Sequence, residues 1–165
     1  MVAGARWCNT RLITAAGKDV SPSYSGDDSR IAFASMRTGN LELFVMDSDG
    51  SPQTRRTFNS SVDFEPQFSP VANVITFSSN RDGDHEIYVL DLGSNVTTQL
   101  TSNVNTDVTP GFSPDGTGIA FSSNRNGNLE IYVMESDGDA QARLTMIPAI
   151  DTNPSWGPAP SSPGS

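Results

Sequence analysis

Four aspartates are the residues of this chain whose spacing first suggests chemistry. Each lies three residues before a proline, and these D-x-x-P motifs are spaced 44 residues apart, with the aspartates at Asp19, Asp63, Asp107 and Asp151. Carboxylates in such strict register can form a ring around one axis, and oxygen-rich sites suit Ca²⁺. The alternative is structural, because an aspartate that caps its own turn or pairs with an arginine of a neighbouring unit recurs with the unit. We favour the structural role and predict no cofactor, with a cation such as Ca²⁺ or Mg²⁺, or a basic group of a peptide, as the candidate ligand of the ring.

Opposite charges recur at the same period, on either side of a glycine-containing turn. Each unit has an arginine and, five residues later, a glutamate: Arg37 and Glu42, Arg81 and Glu86, Arg125 and Glu130. Opposite charges that face each other across a hairpin stabilise it by about 0.2–1 kcal/mol. We therefore predict three structural ion pairs at these turns.

Other sites have little support in the sequence. His85 and Cys8 are the only histidine and cysteine, and a zinc site needs three or four ligands, so no metal site of this kind is predicted. The strings DSDG at 47–50 and ESDG at 135–138 lack the spacing of an EF-hand loop and are typical of turns. No serine lies in a nucleophile elbow, and no glycine-rich phosphate loop follows a strand. We predict that the chain is not an enzyme.

The elements that must position these residues repeat along the chain. The segment FSSNRDGDHEIYV at 77–89 recurs as FSSNRNGNLEIYV at 121–133. Short runs of β-branched and aromatic residues, bounded by turns such as PDG and RNG, predict strands rather than helices. We predict four strands per unit, which in the second unit lie at 67–69, 74–79, 86–91 and 97–101.

The runs IYVL and IYVM are apolar at successive positions, so both faces of each small sheet must be covered. Four-stranded sheets stacked face to face are the blades of a β-propeller. We predict an all-β fold with three complete blades and partial strands at both ends. We predict an extension at 1–8, repeats at 9–158 and a flexible tail at 159–165. Within the repeats, the blades lie at 22–65, 66–109 and 110–153, and a further repeat starts at 154–158.

Composition and charge limit the partners. A chain of 165 residues fits one domain, and its net charge of -9 repels phosphate backbones, so nucleic acid is not a predicted partner. No apolar stretch is long enough to cross a bilayer, and the first residues lack the apolar run of a signal peptide. We predict no membrane insertion.

The repeated motif resembles a known family. The pattern P-x-F-S-P-D-G followed by I-A-F-S-S-N-R-x-G-x-x-E-I-Y-V-M, best seen at 110–134, is similar to the repeat of TolB-like (WD40-like) propellers, and the resemblance covers about residues 9–158. It implies a six-bladed ring, binding of a protein or peptide as in the Tol-Pal envelope system, and a periplasmic location, with the cytoplasm as the alternative. It also places the four aspartates near the mouth of the central channel.

The blade count predicts assembly. Known rings have about four to eight blades, and exposing the two outer faces of a three-blade stack would cost on the order of 10 kcal/mol, comparable to the whole stability of a domain. We predict that two chains close a six-bladed ring as a homodimer, the alternative being that the chain is part of a longer protein.

We predict a non-enzymatic module that binds a protein or peptide. A self-assembling structural fragment and a metal-dependent carbohydrate-acting enzyme are the alternatives. Residues interpreted as specific to one unit are where a partner would be recognised: Arg55, Arg56, Phe58, Phe64, His85 and Met146.

Overall fold

The fold is a stack of three antiparallel sheets. The computed structural model describes residues 11–157. In that range twelve β-strands form three four-stranded sheets, no helix occurs, and the strands of each sheet follow one another in chain order. The all-β class and the three blades are confirmed. None of the elements between residues 11 and 157 is a helix that could span a bilayer.

The strands have nearly the same lengths in every blade. Blade 1 contains β1 Asp19–Tyr24, β2 Arg30–Ser35, β3 Glu42–Asp47 and β4 Thr54–Arg55. Blade 2 contains β5 Asp63–Phe68, β6 Val74–Ser79, β7 Glu86–Asp91 and β8 Thr97–Gln99. Blade 3 contains β9 Asp107–Phe112, β10 Gly118–Ser123, β11 Glu130–Glu135 and β12 Ala142–Arg143.

The first strand of each blade begins earlier than its apolar residues suggest. In blade 2, β5 starts at Asp63, whereas the sequence predicts a strand at 67–69. Asp63 pairs with Ser79 and Phe68 with Ile75, and a bulge between Phe64 and Gln67 separates the two registers. A pattern of apolar residues misses the first half of the strand because Phe64 is its only apolar residue before the bulge, and this half is held by its pairing with β6.

The partial strands predicted at the two ends are not strands in the described range, since residues 11–18 and 144–157 contain none. The first of these segments nevertheless lies where a strand of a preceding blade would lie. The Gln53 side chain donates to the Leu12 carbonyl at 3.3 Å, just as Gln141 donates to the Leu100 carbonyl at 3.2 Å. Leu12 and Ile13 pack against the outer face of blade 1.

The core lies between the blades. Leu43 and Val45 of blade 1 pack against Phe77 and Leu90 of blade 2, and a second cluster joins blade 2 to blade 3. Both faces of blade 2 are thus covered, which explains why β7 is apolar at successive positions. The equivalent face of blade 3 has no blade against it in the described range, and its Leu144, Met146 and Ile150 are exposed.

Replacing Phe77 with alanine tests this packing. Phe77 is fully buried, so we expect the free energy of unfolding to fall by about 3–5 kcal/mol, the cost of lost burial and a cavity. Urea denaturation followed by circular dichroism measures it. Val104→Ala, at a side chain that is 92% exposed, is the control and should change the free energy by less than about 0.5 kcal/mol. Equal midpoints for the two variants would contradict the assignment of Phe77 to the core.

Candidate functional site

The predicted ring of aspartates consists largely of ion pairs inside the blades. The aspartate that begins each first strand accepts a hydrogen bond from an arginine of the same blade: Asp19 from Arg37 at 3.0 Å, Asp63 from Arg81 at 3.0 Å and Asp107 from Arg125 at 2.5 Å. Asp63 and Asp107 are fully buried, so neither is open to a ligand in the channel. Asp151 begins the trailing segment, where its N–H donates to the Leu129 carbonyl at 2.8 Å.

Each of these arginines is held by more than its aspartate. The Arg81 Nε donates to the Ser79 hydroxyl at 3.0 Å, and the guanidinium lies 4.6 Å from the centre of the Tyr88 ring. A planar guanidinium satisfies a carboxylate, a hydroxyl and an aromatic face at once, which lysine cannot do. The same arrangement recurs in blades 1 and 3. This aspartate–arginine–serine clamp ties the first strand to the hairpin between the second and third strands.

The predicted pairing of arginine with glutamate across the hairpin is therefore wrong. The three arginines pair with aspartates instead: Arg37, Arg81 and Arg125. The three glutamates have other partners: Glu42, Glu86 and Glu130. Glu42 pairs with Arg55 at 2.8 Å and Glu130 with Arg143 at 2.7 Å, both through arginines near the outermost strand. A glutamate that begins the third strand points to the fourth strand, on the side away from the first.

Arg55 and Arg143 each form an ion pair with a buried glutamate, a role that the sequence did not predict for them. They lie two periods apart, with Gln99 at the intervening position. Because the middle unit breaks the pattern, Arg55 was interpreted as specific to one unit. Comparing units one and three directly would have identified the pair.

The buried glutamates also organise the connection between blades. The Asn59 N–H donates to Glu42 at 2.9 Å, and its side-chain amide donates to Asp63 at 2.7 Å. Asn103 joins Glu86 to Asp107 in the same way, at 2.5 Å and 2.9 Å. Each asparagine therefore links a carboxylate of one blade to the first strand of the next.

Glu86 is the exception among the three glutamates because no arginine between residues 11 and 157 forms an ion pair with it. It is fully buried and accepts hydrogen bonds from the Thr101 hydroxyl and from Asn103. Burial raises the pKa of Glu86 to about 7, against the opposing effect of these two donors, and the nearby charge of Asp107 adds to the increase.

A groove runs along the first strands of blades 2 and 3, where they face the propeller axis. One residue in each D-x-x-P motif has a left-handed backbone: Ser21, Glu65, Thr109 and Asn153, with φ between 52° and 56°. In β1, β5 and β9 these residues lie in the bulges. The groove has a volume of about 510 Å³ and is lined by residues of the bulges, by four prolines and by the aromatic side chains of Phe68, Phe112 and Trp156.

Polar groups hold the groove in shape. Glu65 accepts hydrogen bonds from the Ser78 hydroxyl at 3.0 Å and from the Thr109 N–H at 2.9 Å, which links β5 to β9. The Trp156 indole N–H donates to the Gly111 carbonyl at 2.9 Å, and the side chain is 40% exposed. The groove thus combines aromatic side chains, of which Trp156 is the most exposed, with a carboxylate, amides and carbonyls. Its lining residues include no histidine, cysteine or lysine.

The family follows from the sequence match. The model of the TolB beta propeller domain matches residues 8–106 and 60–162, which together cover most of the chain. The chain belongs to this family. No curated protein matched it.

Solved structures agree with this fold. TolB from Acinetobacter baumannii is 25% identical over 86% of this chain and 35% of its own, with a TM-score of 0.77. The putative TolB from Agrobacterium tumefaciens is 21% identical over 80% of this chain and 50% of its own, with a TM-score of 0.74. An oligogalacturonate lyase in complex with manganese is 11% identical over 81% of this chain and 42% of its own, with a TM-score of 0.64. The chain thus spans half or less of each of these three proteins.

Arg143→Gln gives blade 3 the glutamine that blade 2 has at this position. Because Glu130 is fully buried and would lose its cation, we expect the free energy of unfolding to fall by about 1–3 kcal/mol, less than for a completely buried pair since Arg143 is partly exposed. Chemical denaturation measures the change. Lys18→Gln removes the same charge at an exposed position and should have almost no effect. A comparable loss in both variants would indicate a general charge effect instead.

Proposed function

We propose that the chain is a non-enzymatic binding module that holds an extended peptide segment of a protein partner in the groove along the first strands of blades 2 and 3. The observation that carries this proposal is the composition of the groove. Aromatic and proline side chains line the groove beside fixed polar groups, the combination by which concave sites bind and orient a ligand.

The shape of the groove favours a peptide over a compact small molecule. It follows two adjacent strands and continues along residues 153–156 of the trailing segment, so its length suits an extended chain. The net charge of -9 and the carboxylate of Glu65 favour a peptide that is basic or neutral.

The enzyme alternative has weaker support. The similarity to the lyase concerns the fold alone, and the groove of this chain contains no pair of side chains arranged as nucleophile and base.

The open face of blade 3 supports the proposed assembly. Ile131 is only partly buried, whereas the residues one and two periods earlier, Ile87 and Leu43, are completely buried by the next blade. We propose that blade 1 of a second chain covers this face and closes a six-bladed ring. The periplasmic location also remains part of the proposal, supported by the similarity to TolB.

Selection from a library of random linear peptides, displayed on phage, tests the binding function. We expect selected peptides to bind the wild-type protein and to lose about tenfold or more in affinity with Trp156→Ala, because aromatic contacts contribute about 1.5 kcal/mol or more at such sites. Isothermal titration calorimetry measures the affinity. Val96→Ala, at an exposed residue outside the groove, should leave it unchanged. Peptides that bind both variants equally well would place the site elsewhere.

Light scattering on a sizing column tests the ring. We expect a mass of twice the 17.6 kDa of one chain, constant over a range of concentrations. Ile131→Glu places a charge on the face that the second chain would cover, so this variant should have the mass of one chain and an unchanged circular dichroism spectrum. A wild-type protein that is monomeric at all concentrations would rule out closure by two chains.

A further inference from the structure

Blade 2 differs from the other blades in a cluster of three carboxylates on the hairpin between β6 and β7. One oxygen each of Asp82, Asp84 and Glu86 lies within 4.8 Å of the others. Oxygens that bind one Ca²⁺ at 2.3–2.6 Å are at most about 5 Å apart. The three side chains are therefore close enough to share one ion.

In blade 1, the position of Asp84 holds an amide that is surrounded by acceptors. The Asn40 side-chain NH₂ donates to Glu42 at 3.2 Å and to the main-chain carbonyls of Asn59 and Ser61 at 3.0 Å and 2.5 Å. Asn128 holds the same position in blade 3. Its side-chain NH₂ makes the three equivalent contacts, with Glu130 and with the carbonyls of residues 147 and 149. In both blades the two protons of one NH₂ group are shared among three acceptor oxygens.

Asp84 cannot make these contacts, although the loop around it is unchanged. The Asn105 N–H donates to the Asn103 side chain at 2.9 Å, as the Ser61 N–H does to Asn59 at 2.7 Å. The repeat therefore places the carbonyls of residues 103 and 105 and the carboxylate of Glu86 where the amide's acceptors lie in blade 1. The Asp84 Oδ2 is buried and has no hydrogen-bond partner among the described residues. An oxygen that faces other oxygens in a buried place needs a proton or a cation between them.

A second difference removes the only positive charge from the cluster. Arg55 and Arg143, which neutralise the glutamates of blades 1 and 3, are replaced by Gln99, and this side chain donates to Asp82 instead. The cluster changes from one carboxylate with one guanidinium to three carboxylates. Arg81, on the same hairpin, remains bound to Asp63.

Tyr88 supplies an independent indication that a group belongs beside these carboxylates. Its side chain is 3% exposed, and its hydroxyl lies beside Asp82 without a well-formed hydrogen bond in the described part of the chain. In blade 3 the equivalent hydroxyl, on Tyr132, donates to Asn126, which occupies the position of Asp82.

We infer that blade 2 binds one Ca²⁺ ion through Asp82, Asp84 and Glu86, with the main-chain carbonyls of residues 103 and 105 as further ligands. Carboxylates and carbonyls are the oxygen ligands that Ca²⁺ prefers. The ion takes the place that an arginine and an amide share in blades 1 and 3. Since Asn103 also bonds to Asp107, the ion would strengthen the seam between blades 2 and 3. This site lies within a blade and uses none of the four aspartates for which the sequence suggested Ca²⁺, although Asn103 links its Glu86 to Asp107.

Calorimetric titration of the whole chain with CaCl₂, after treatment with a chelator, tests the inference. We expect one ion per chain. At a Ca²⁺ concentration 100-fold above the dissociation constant, the midpoint of thermal unfolding should rise by about 5–10 °C relative to the protein in chelator.

The variant Asp84→Asn with Gln99→Arg rebuilds the arrangement of blades 1 and 3, so it is expected to fold without metal. It should lose the Ca²⁺ heat and the shift of the midpoint. Asp28→Asn removes one charge at an exposed turn and should retain both. The inference is overturned if the wild-type protein shows neither effect, or if the double variant binds Ca²⁺ as tightly as the wild type.

Discussion

A buried carboxylate without a matching donor or cation is too costly to persist, and the rest of this structure depends on how that cost is avoided. Each blade has an acidic residue at the start of its first strand and another at the start of its third, and all of these are buried except Asp19, which is partly exposed. In blade 2 these are Asp63 and Glu86, both fully buried. The aspartate binds an arginine of its own blade, and the glutamate binds the connection to the next blade. Together they fix each hairpin and each seam.

The same requirement explains why the three blades are not chemically equivalent. Blades 1 and 3 satisfy their glutamates with an arginine and with the asparagine amide of the hairpin between the second and third strands, and blade 2 has neither residue at these two positions. Blade 2 lacks these two donors and has two additional carboxylates, Asp82 and Asp84. Hydrogen-bond donors are therefore exchanged for negative charge around one glutamate of the repeat. An ion-binding site follows naturally from such an exchange, because the scaffold around it stays the same.

The proposed binding groove and the contacts that stabilise the blade use different parts of the first strand. The aspartate at its start is fixed by the clamp, while the left-handed residue two positions later is free to vary. This position holds Ser21, Glu65, Thr109 and Asn153, four different side chains on one backbone conformation. The repeat therefore supplies a constant backbone, and the chemistry of the groove depends on side chains that differ from one blade to the next.

The sequence by itself determined the period, the all-β class, the number of blades and the covered faces, because a repeat of 44 residues with runs apolar at successive positions has few other solutions. It placed the second and third strands of blade 2 correctly, since their apolar residues define them. Only the tertiary structure decided which charges meet. Arg81 can reach Glu86 or Asp63 from its hairpin, and the choice depends on the serine and the aromatic ring that hold its guanidinium. Likewise, Asp84 and Gln99 are 15 residues apart in the sequence, and it is the pairing of β7 with β8 that makes them neighbours of one buried glutamate.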